Sequence, residues 1–296
     1  MIPLGGALQV VAAGVLFALM GAGVKVVAAT QPNVVIVFFR NAAGLLVLLP
    51  WIGWSGVRAL RTSVFHLHLL RGLAGLAAMY CFFFTLGRLQ LADAVLLNYT
   101  LPLFMPVIAW LWLGEEMNRA VWLAVGLGFA GVALIVKPSE GLVNPVALVG
   151  LCAGILAALA QVAIRRLTRT ESTARIVFYF SLISTVVSAA PLSVVGFHLS
   201  SWDAGLLVAV GVLAALAQIL LTRGYASAPA ARVGPFIYSS VLFAGMLDWV
   251  LWGHLPDLLS LVGACLVCLG GAAAMVRRRS GAIGALEVPA RADGGR

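Results

Sequence analysis

Charge is what this chain of 296 residues is short of. Asp, Glu, Lys and Arg make up 10% of it, against about 25% in an ordinary soluble domain. Too few polar groups remain to cover a water-facing surface, which excludes a soluble globular fold. Acid is the scarcer sign, with 10 Asp and Glu against 19 Lys and Arg. The resulting net charge of +9 is not the footprint of a nucleic-acid binder, because the cations are strung between apolar runs instead of gathering on one polar face. No nucleic-acid partner is expected.

Cysteine is also scarce, and all four residues, Cys81, Cys152, Cys265 and Cys268, fall inside apolar runs. Cys265 and Cys268 are spaced as a CxxC, yet no second pair and no nearby His completes a tetrahedral site. No disulfide, metal or other cofactor is expected. The chain lacks HExxH, GxSxG and P-loop patterns. His66 and His68 flank the start of the third apolar run without a paired carboxylate, and His198 and His254 lie at run ends. These gaps argue against an enzyme, and the absence of a nucleotide-binding domain argues against ATP drive. The first apolar run has no basic segment before it and exceeds signal-peptide length, so it reads as a retained helix.

What the chain does have is long apolar runs: 62% of it is hydrophobic, and its mean hydropathy is +1.08. About 20 apolar residues cross a hydrocarbon core as a helix. Runs of that kind predict ten spans, over 5–29, 34–52, 67–87, 92–113, 120–136, 146–164, 176–197, 204–222, 233–252 and 258–276. The positive-inside rule orients them. With the N-terminus in the cytoplasm, the inner loops and tail hold Arg58, Arg61, Arg71, Arg119, Arg165, Arg166, Arg169, Arg175, Arg223, Arg232, Arg277, Arg278, Arg279, Arg291 and Arg296. The outer side holds only Lys25, Arg88 and Lys137. Both termini are therefore expected in the cytoplasm of a multi-pass protein of the cell (inner) membrane. Residues 280–296, Gly/Ala-rich and polar-ended, read as a disordered cytoplasmic tail.

The two halves resemble each other. A shift of 140 positions matches Gly14 with Gly154, Lys25 with Arg165, and Ile36-Val37-Phe38 with Ile176-Val177-Phe178. A shift of 139 matches Tyr99 with Tyr238, Trp110 with Trp249, Gly114 with Gly253 and Gly131 with Gly270. Alanine, leucine and glycine matches are cheap in so biased a sequence, but the ungapped Tyr-x10-Trp-x3-Gly is not. Each half holds five spans, an odd number, so two related halves must cross in opposite senses. Inverted repeats of this kind give a carrier two interchangeable conformations, each open to one side.

Several stretches resemble one known family. Residues 32–41, Pro-Asn-Val-Val-Ile-Val-Phe-Phe-Arg-Asn, are similar to the second-helix signature of EamA-type carriers of the drug/metabolite transporter superfamily. Leu91-Ala92-Asp93-Ala94, Pro102-Leu103-Phe104 and Leu113-Gly114-Glu115 resemble that family's fourth helix and its exit, and residues 126–131 its fifth. The second half repeats the pattern weakly, with Val241 in place of Pro102 and His254 in place of Glu115. The resemblance implies an all-α integral membrane bundle of ten helices in a 5+5 inverted repeat, residues 1–140 and 141–279, around a central cavity. It also implies a secondary transporter moving a small polar or zwitterionic metabolite by alternating access. Export of an amino-acid-like compound or an amino-acid-derived metallophore is one expectation, import of a small metabolite the alternative. Its partners would be that solute and the lipid bilayer, and either a monomer or a homodimer would serve.

Ionisable groups inside a span are costly and point to function. Arg40 reads as a carboxylate or other anion anchor, or as a structural arginine bonded to a neighbouring carbonyl. Asp248 is a proton-coupling candidate, or the ion-pair partner of Arg40 or Lys25. Asn98, Tyr99, Gln161, Gln218 and Tyr238 lie deep in apolar runs and should face the bundle, lining a substrate path or joining helices. Pro102 and Pro106 are expected to kink the fourth helix, with Pro235 a weaker counterpart in the ninth.

Overall fold

The computed structural model describes residues 4–113, 119–136, 145–167, 170–227, 234–255 and 257–284. They are helical throughout, with no strand among them. In chain order the helices are α1 (Leu4–Val27), α2 (Asn33–Ser55), α3 (Phe65–Leu86), α4 (Leu91–Asn98), α5 (Leu101–Leu113), α6 (Arg119–Val136), α7 (Pro145–Leu167), α8 (Thr173–Leu192), α9 (Ser201–Ser227), α10 (Ser239–Trp252) and α11 (Leu258–Gly284). Short 3-10 turns at Val57–Leu60 and Gly234–Tyr238 precede α3 and α10.

Helix is the only conformation, apart from a closed barrel, that satisfies every backbone polar group without water. The described residues provide seven helical stretches long and apolar enough to cross a bilayer, together with shorter apolar helices at Trp122–Leu134, Phe236–Trp252 and Leu258–Gly270. The outer surface is as apolar as the interior: Leu8, Leu111, Leu123, Leu242, Val250 and Leu258 are all more than two-thirds exposed. Such a surface is stable only against lipid.

The core lies where α1, α2, α3, α4, α9 and α10 converge around Val24, Ile36, Leu86, Leu91, Leu97 and Leu207. α1 packs on α9 and α10, α7 packs on α3, α4 and α5, and α2 meets α9 while α8 meets α3. Three further contacts pair α2 with α8, α4 with α10 and α6 with α11. At two of these contacts small residues let backbones approach. A methyl group on Gly14 of α1 would stand 3.1 Å from the backbone nitrogen of Ser240, and one on Gly154 of α7 would stand 3.1 Å from the carbonyl of Leu97.

Three features differ from the sequence reading. The span expected over 92–113 is interrupted, α4 ending at Asn98 and α5 starting at Leu101. Pro102 therefore sits in the first turn of α5, where its missing N–H costs little, and does not kink a continuous helix. Arg71 belongs to α3, well inside the helix, and not to a loop. α11 runs on to Gly284, into the segment expected to be a disordered tail; residues 285–296, Glu115, Glu116, Lys137 and the stretch Ala228-Pro229-Ala230 lie outside the described residues.

Candidate functional site

The interruption after α4 has a defined construction. Tyr99 donates its N–H to Val95 at 2.9 Å, then the backbone tightens: Thr100 N–H reaches Leu97 at 3.2 Å and Leu103 N–H reaches Thr100 at 2.8 Å. The hydroxyl of Thr100 also donates to the Leu97 carbonyl, at 2.6 Å. In the second half the 3-10 turn ends at Tyr238 and α10 begins at Ser239. There the hydroxyl of Ser240 donates to the carbonyl of Ile237 at 2.7 Å. Thr100 and Leu97 become Ser240 and Ile237 under the shift of 140 that matches Gly14 with Gly154. In each half a hydroxyl thus covers a backbone carbonyl three residues back, and a glycine of α7 or α1 packs against that spot.

Tyr99 sits at the α4–α5 break and Tyr238 where the 3-10 turn meets α10, and both are buried. The Tyr99 side chain lies toward Ser240, across the α4–α10 contact. Asn98 ends α4, half-buried, while Gln161 on α7 and Gln218 on α9 are half-buried along their helices. Gln218 and Tyr238 each engage a neighbour.

Asp248 lies in a different cluster, at the end of the bundle where α1 finishes. Its carboxylate accepts the N–H of Ala92 at 3.1 Å, in the first turn of α4, where the helix leaves N–H groups without intrahelical partners. Lys25 Nζ stands 3.7 Å away while donating to the Leu89 carbonyl at 2.6 Å. His254 Nδ1 approaches the same carboxylate at 3.4 Å. That approach depends on Gly253, whose left-handed φ of 69° ends α10 and turns the chain back. Of the two partners weighed for Asp248, Lys25 is the one it meets.

Two further polar clusters close the connections between helices. At the Lys25 end, Gln31 donates to Asp203 at 2.9 Å and Thr30 to the other oxygen at 2.9 Å. At the opposite end, Thr62 donates to Glu171 at 2.7 Å, and Arg175 pairs with the same acid. His68, fully buried, stacks on Tyr179 at 4.5 Å and lies 4.0 Å from Glu171. His68 therefore does face a carboxylate, which sequence reasoning missed because the two residues are far apart in the chain.

Arg40 is buried in α2, donating Nη1 to Asn41 Oδ1 at 3.0 Å. Asn41 is itself pinned, giving its amide to the Val37 carbonyl at 2.8 Å. Arg71, from α3, lies with its guanidinium carbon 3.9 Å from the Phe180 ring centre. The spacing that could have flagged it is in the sequence: Arg40-x3-Gly44 recurs as Arg71-x3-Gly75.

The arrangement matches a recognised group of proteins. The EamA-like transporter family model matches residues 4–137 and again residues 144–276. The chain belongs to the EamA-like transporter family. It is 38% identical over 267 residues to the pseudopaline exporter of Pseudomonas aeruginosa (strain UCBPP-PA14), covering 88% of this chain and 93% of that one. It is 29% identical to a riboflavin transporter of Brucella anthropi, covering 84% and 90% of the two chains. An S-adenosylmethionine uptake transporter of Rickettsia felis is 25% identical, with 78% and 79% covered. A solved crystal structure of 20% identity superposes with a TM-score of 0.65 over 93% of this chain and 98% of its own, a likeness of fold. As a member of this family the chain is a multi-pass membrane transporter with a small-molecule substrate.

Proposed function

We propose that the chain is a ten-span carrier that exports a small polar or zwitterionic metabolite by alternating access. Its halves, residues 1–140 and 141–279, cross the membrane in opposite senses. The observation that carries this reading is the interruption of the fourth span at Tyr99-Thr100, matched in the second half by the 3-10 turn that ends at Tyr238, with the Thr100 and Ser240 hydroxyls each on a carbonyl three residues back. Broken helices at mid-membrane commonly form the substrate sites of carriers built from inverted repeats.

The helix contacts support the same reading. Exchanging each helix for its counterpart turns the α1–α9 contact into α7–α3, α1–α10 into α7 with α4 and α5, and α2–α9 into α8–α3. The α2–α8, α4–α10 and α6–α11 contacts map onto themselves. The arginine bias supports cytoplasmic termini in the inner membrane. Arg40, Asn98, Tyr99, Gln161, Gln218 and Tyr238 supply the polar lining of the path. Asp248 is the proton-coupling candidate, its carboxylate standing between Lys25 and the first turn of α4. No catalytic step is part of this reading.

The exporter among the relatives supports outward movement of an amino-acid-like compound or an amino-acid-derived chelator. The uptake transporter of Rickettsia felis favours a second reading, import of a small metabolite. Metabolite profiles of medium and cytosol, from cells expressing wild type or Arg40→Ala at equal abundance, separate the two. Export predicts a compound that leaves wild-type cells and accumulates in the variant. Depletion of a compound from the medium by wild type alone would establish import, and identical profiles in wild-type and empty-vector cells, with a panel of solutes supplied, would defeat both.

A further inference from the structure

Arg40 and Arg71 share a feature that the matched halves do not explain. Each guanidinium is inside the bundle, and the Nε of each lacks a hydrogen-bond partner. Arg40 is 8% exposed. Among the described residues, the carboxylates that form ion pairs do so with Lys25, His68, Arg175 and His254, and none with either arginine. A buried charge without a counter-charge is costly, and here the bundle holds two of them together.

One helical turn beyond each arginine is a glycine, Gly44 in α2 and Gly75 in α3. A methyl group on Gly44 would meet only Ser181, 3.8 Å away, so the open space lies on the Arg40 side; at Gly75 the Arg71 guanidinium itself and Phe180, 2.9 Å away, fill the place of a side chain. Phe180 and Ser181 are adjacent on α8, so α2, α3 and α8 bring these positions to one place. Ser184, one turn further along α8, is buried with its hydroxyl oxygen unpartnered. The arginines are held apart: Arg40 is tied to Asn41, while Arg71 lies flat on Phe180. Arg40 lies fifteen residues before the end of α2 and Arg71 six residues into α3. At a rise of 1.5 Å per residue their Cα atoms differ in depth by on the order of 10 Å. Such a separation suits two anionic groups, one for each planar fork, better than one phosphate gripped from two sides.

We propose that Arg40 and Arg71 form a two-pronged site between α2, α3 and α8 for a solute bearing two carboxylates, with Ser181 and Ser184 offering hydroxyls between them. The inference rests on the carrier reading for its biological meaning, but the site can be tested by binding alone.

The full chain, in nanodiscs of zwitterionic phosphatidylcholine that supply no anionic headgroup, is titrated with acetate, succinate, glutarate, adipate and inorganic phosphate. One dicarboxylate of the series should bind at least tenfold more tightly than acetate. Arg71→Gln and Arg40→Gln should each reduce that affinity about tenfold or more, the value of one charge-assisted hydrogen bond. Arg71→Lys should retain part of it. Equal binding of acetate and every dicarboxylate by wild type would overturn the proposal, even if the glutamine variants failed to fold. So would an Arg71→Gln protein that binds like wild type, or tightest binding of inorganic phosphate. Counterflow in proteoliposomes reads the carrier function separately. Binding without movement of any solute would sink the carrier reading and leave the site, whereas movement of solutes with no dicarboxylate preference would do the reverse.

Discussion

Asp248 and Ala92 are joined across the bundle by one hydrogen bond of 3.1 Å, from the amide of α4 to the carboxylate of α10. An acid from one half of the chain thereby caps a helix of the other. Lys25, from a third helix, completes the cluster at 3.7 Å.

Removing that carboxylate should be costly. Asp248→Ala leaves Lys25 without its counter-charge and α4 without its cap, a loss of about 3 kcal/mol. Asp248→Asn retains an acceptor for Ala92 and should lose less. Thermal unfolding in detergent, with Lys25→Met added to each variant, reads the coupling. If the double variant lost the full sum of the single losses, the pair would not be energetically coupled.

The Thr62 end of the bundle should respond to acid. Burial by itself would raise the Glu171 carboxyl, but hydrogen bonds from Thr62 and Arg175, with the Arg175 charge, more than offset it and hold the group below its ordinary value of 4.5. A carboxyl lowered in the folded state stabilises that state above its unfolded value, and the benefit disappears as pH falls through the folded one. The melting temperature should therefore decline below about pH 4.5. Glu171→Gln should lower it at pH 7 and flatten the acid limb. An unchanged limb would mean that other groups set the acid sensitivity.

Crowding at the helix breaks should be poorly tolerated. Gly154→Val would push a side chain into Leu97 and Thr100, and Gly14→Val into Ser239 and Ser240. Each should cost about 1–3 kcal/mol and reduce transport. Gly5→Val, with nothing within 4 Å of the added carbon, should behave as wild type. Flux assays on all three, normalised to folded protein, give the comparison.

The hydroxyls at the breaks should matter in equal measure. Thr100→Val and Ser240→Ala each remove the hydroxyl donor from a carbonyl, at a cost of about 1 kcal/mol. Melting curves of the two variants should shift by similar amounts; a shift in only one would show that the matched geometry is not matched in energy.

Much of this architecture was legible because lipid imposes it. Apolar length alone located the helices, and the Tyr99–Tyr238 match, read as a repeat, falls on the α4–α5 break and on the 3-10 turn before α10. The break itself was misread as a proline kink, since a local 3-10 turn and a hydroxyl on its own carbonyl leave no hydrophobic pattern behind. Arg71 was counted with the loop cations, because a charge tally assigns every arginine near a run end to water. The Lys25–Asp248 pair was one of two weighed, because charges buried in apolar runs need partners, whereas the His68–Glu171 meeting joins residues distant in the chain that no local spacing announces. Of the candidate site residues, the structure groups Tyr99 with Ser240 and sets Asp248 apart with Lys25. It adds Thr100, Ser240 and Arg71, whose signals lay in a repeat offset and in Arg-x3-Gly.

An uninterrupted α-helix resists bending because every turn along it is stitched to the next. Between Asn98 and Leu101 that stitching gives way to a tighter turn, so stiffness drops there. The interrupted rod becomes two short levers meeting at a fulcrum. A modest rotation there sweeps the far tip through an arc while leaving the packing of each arm intact. The span's compliance is thus concentrated beside Tyr99, where small forces have the greatest mechanical advantage.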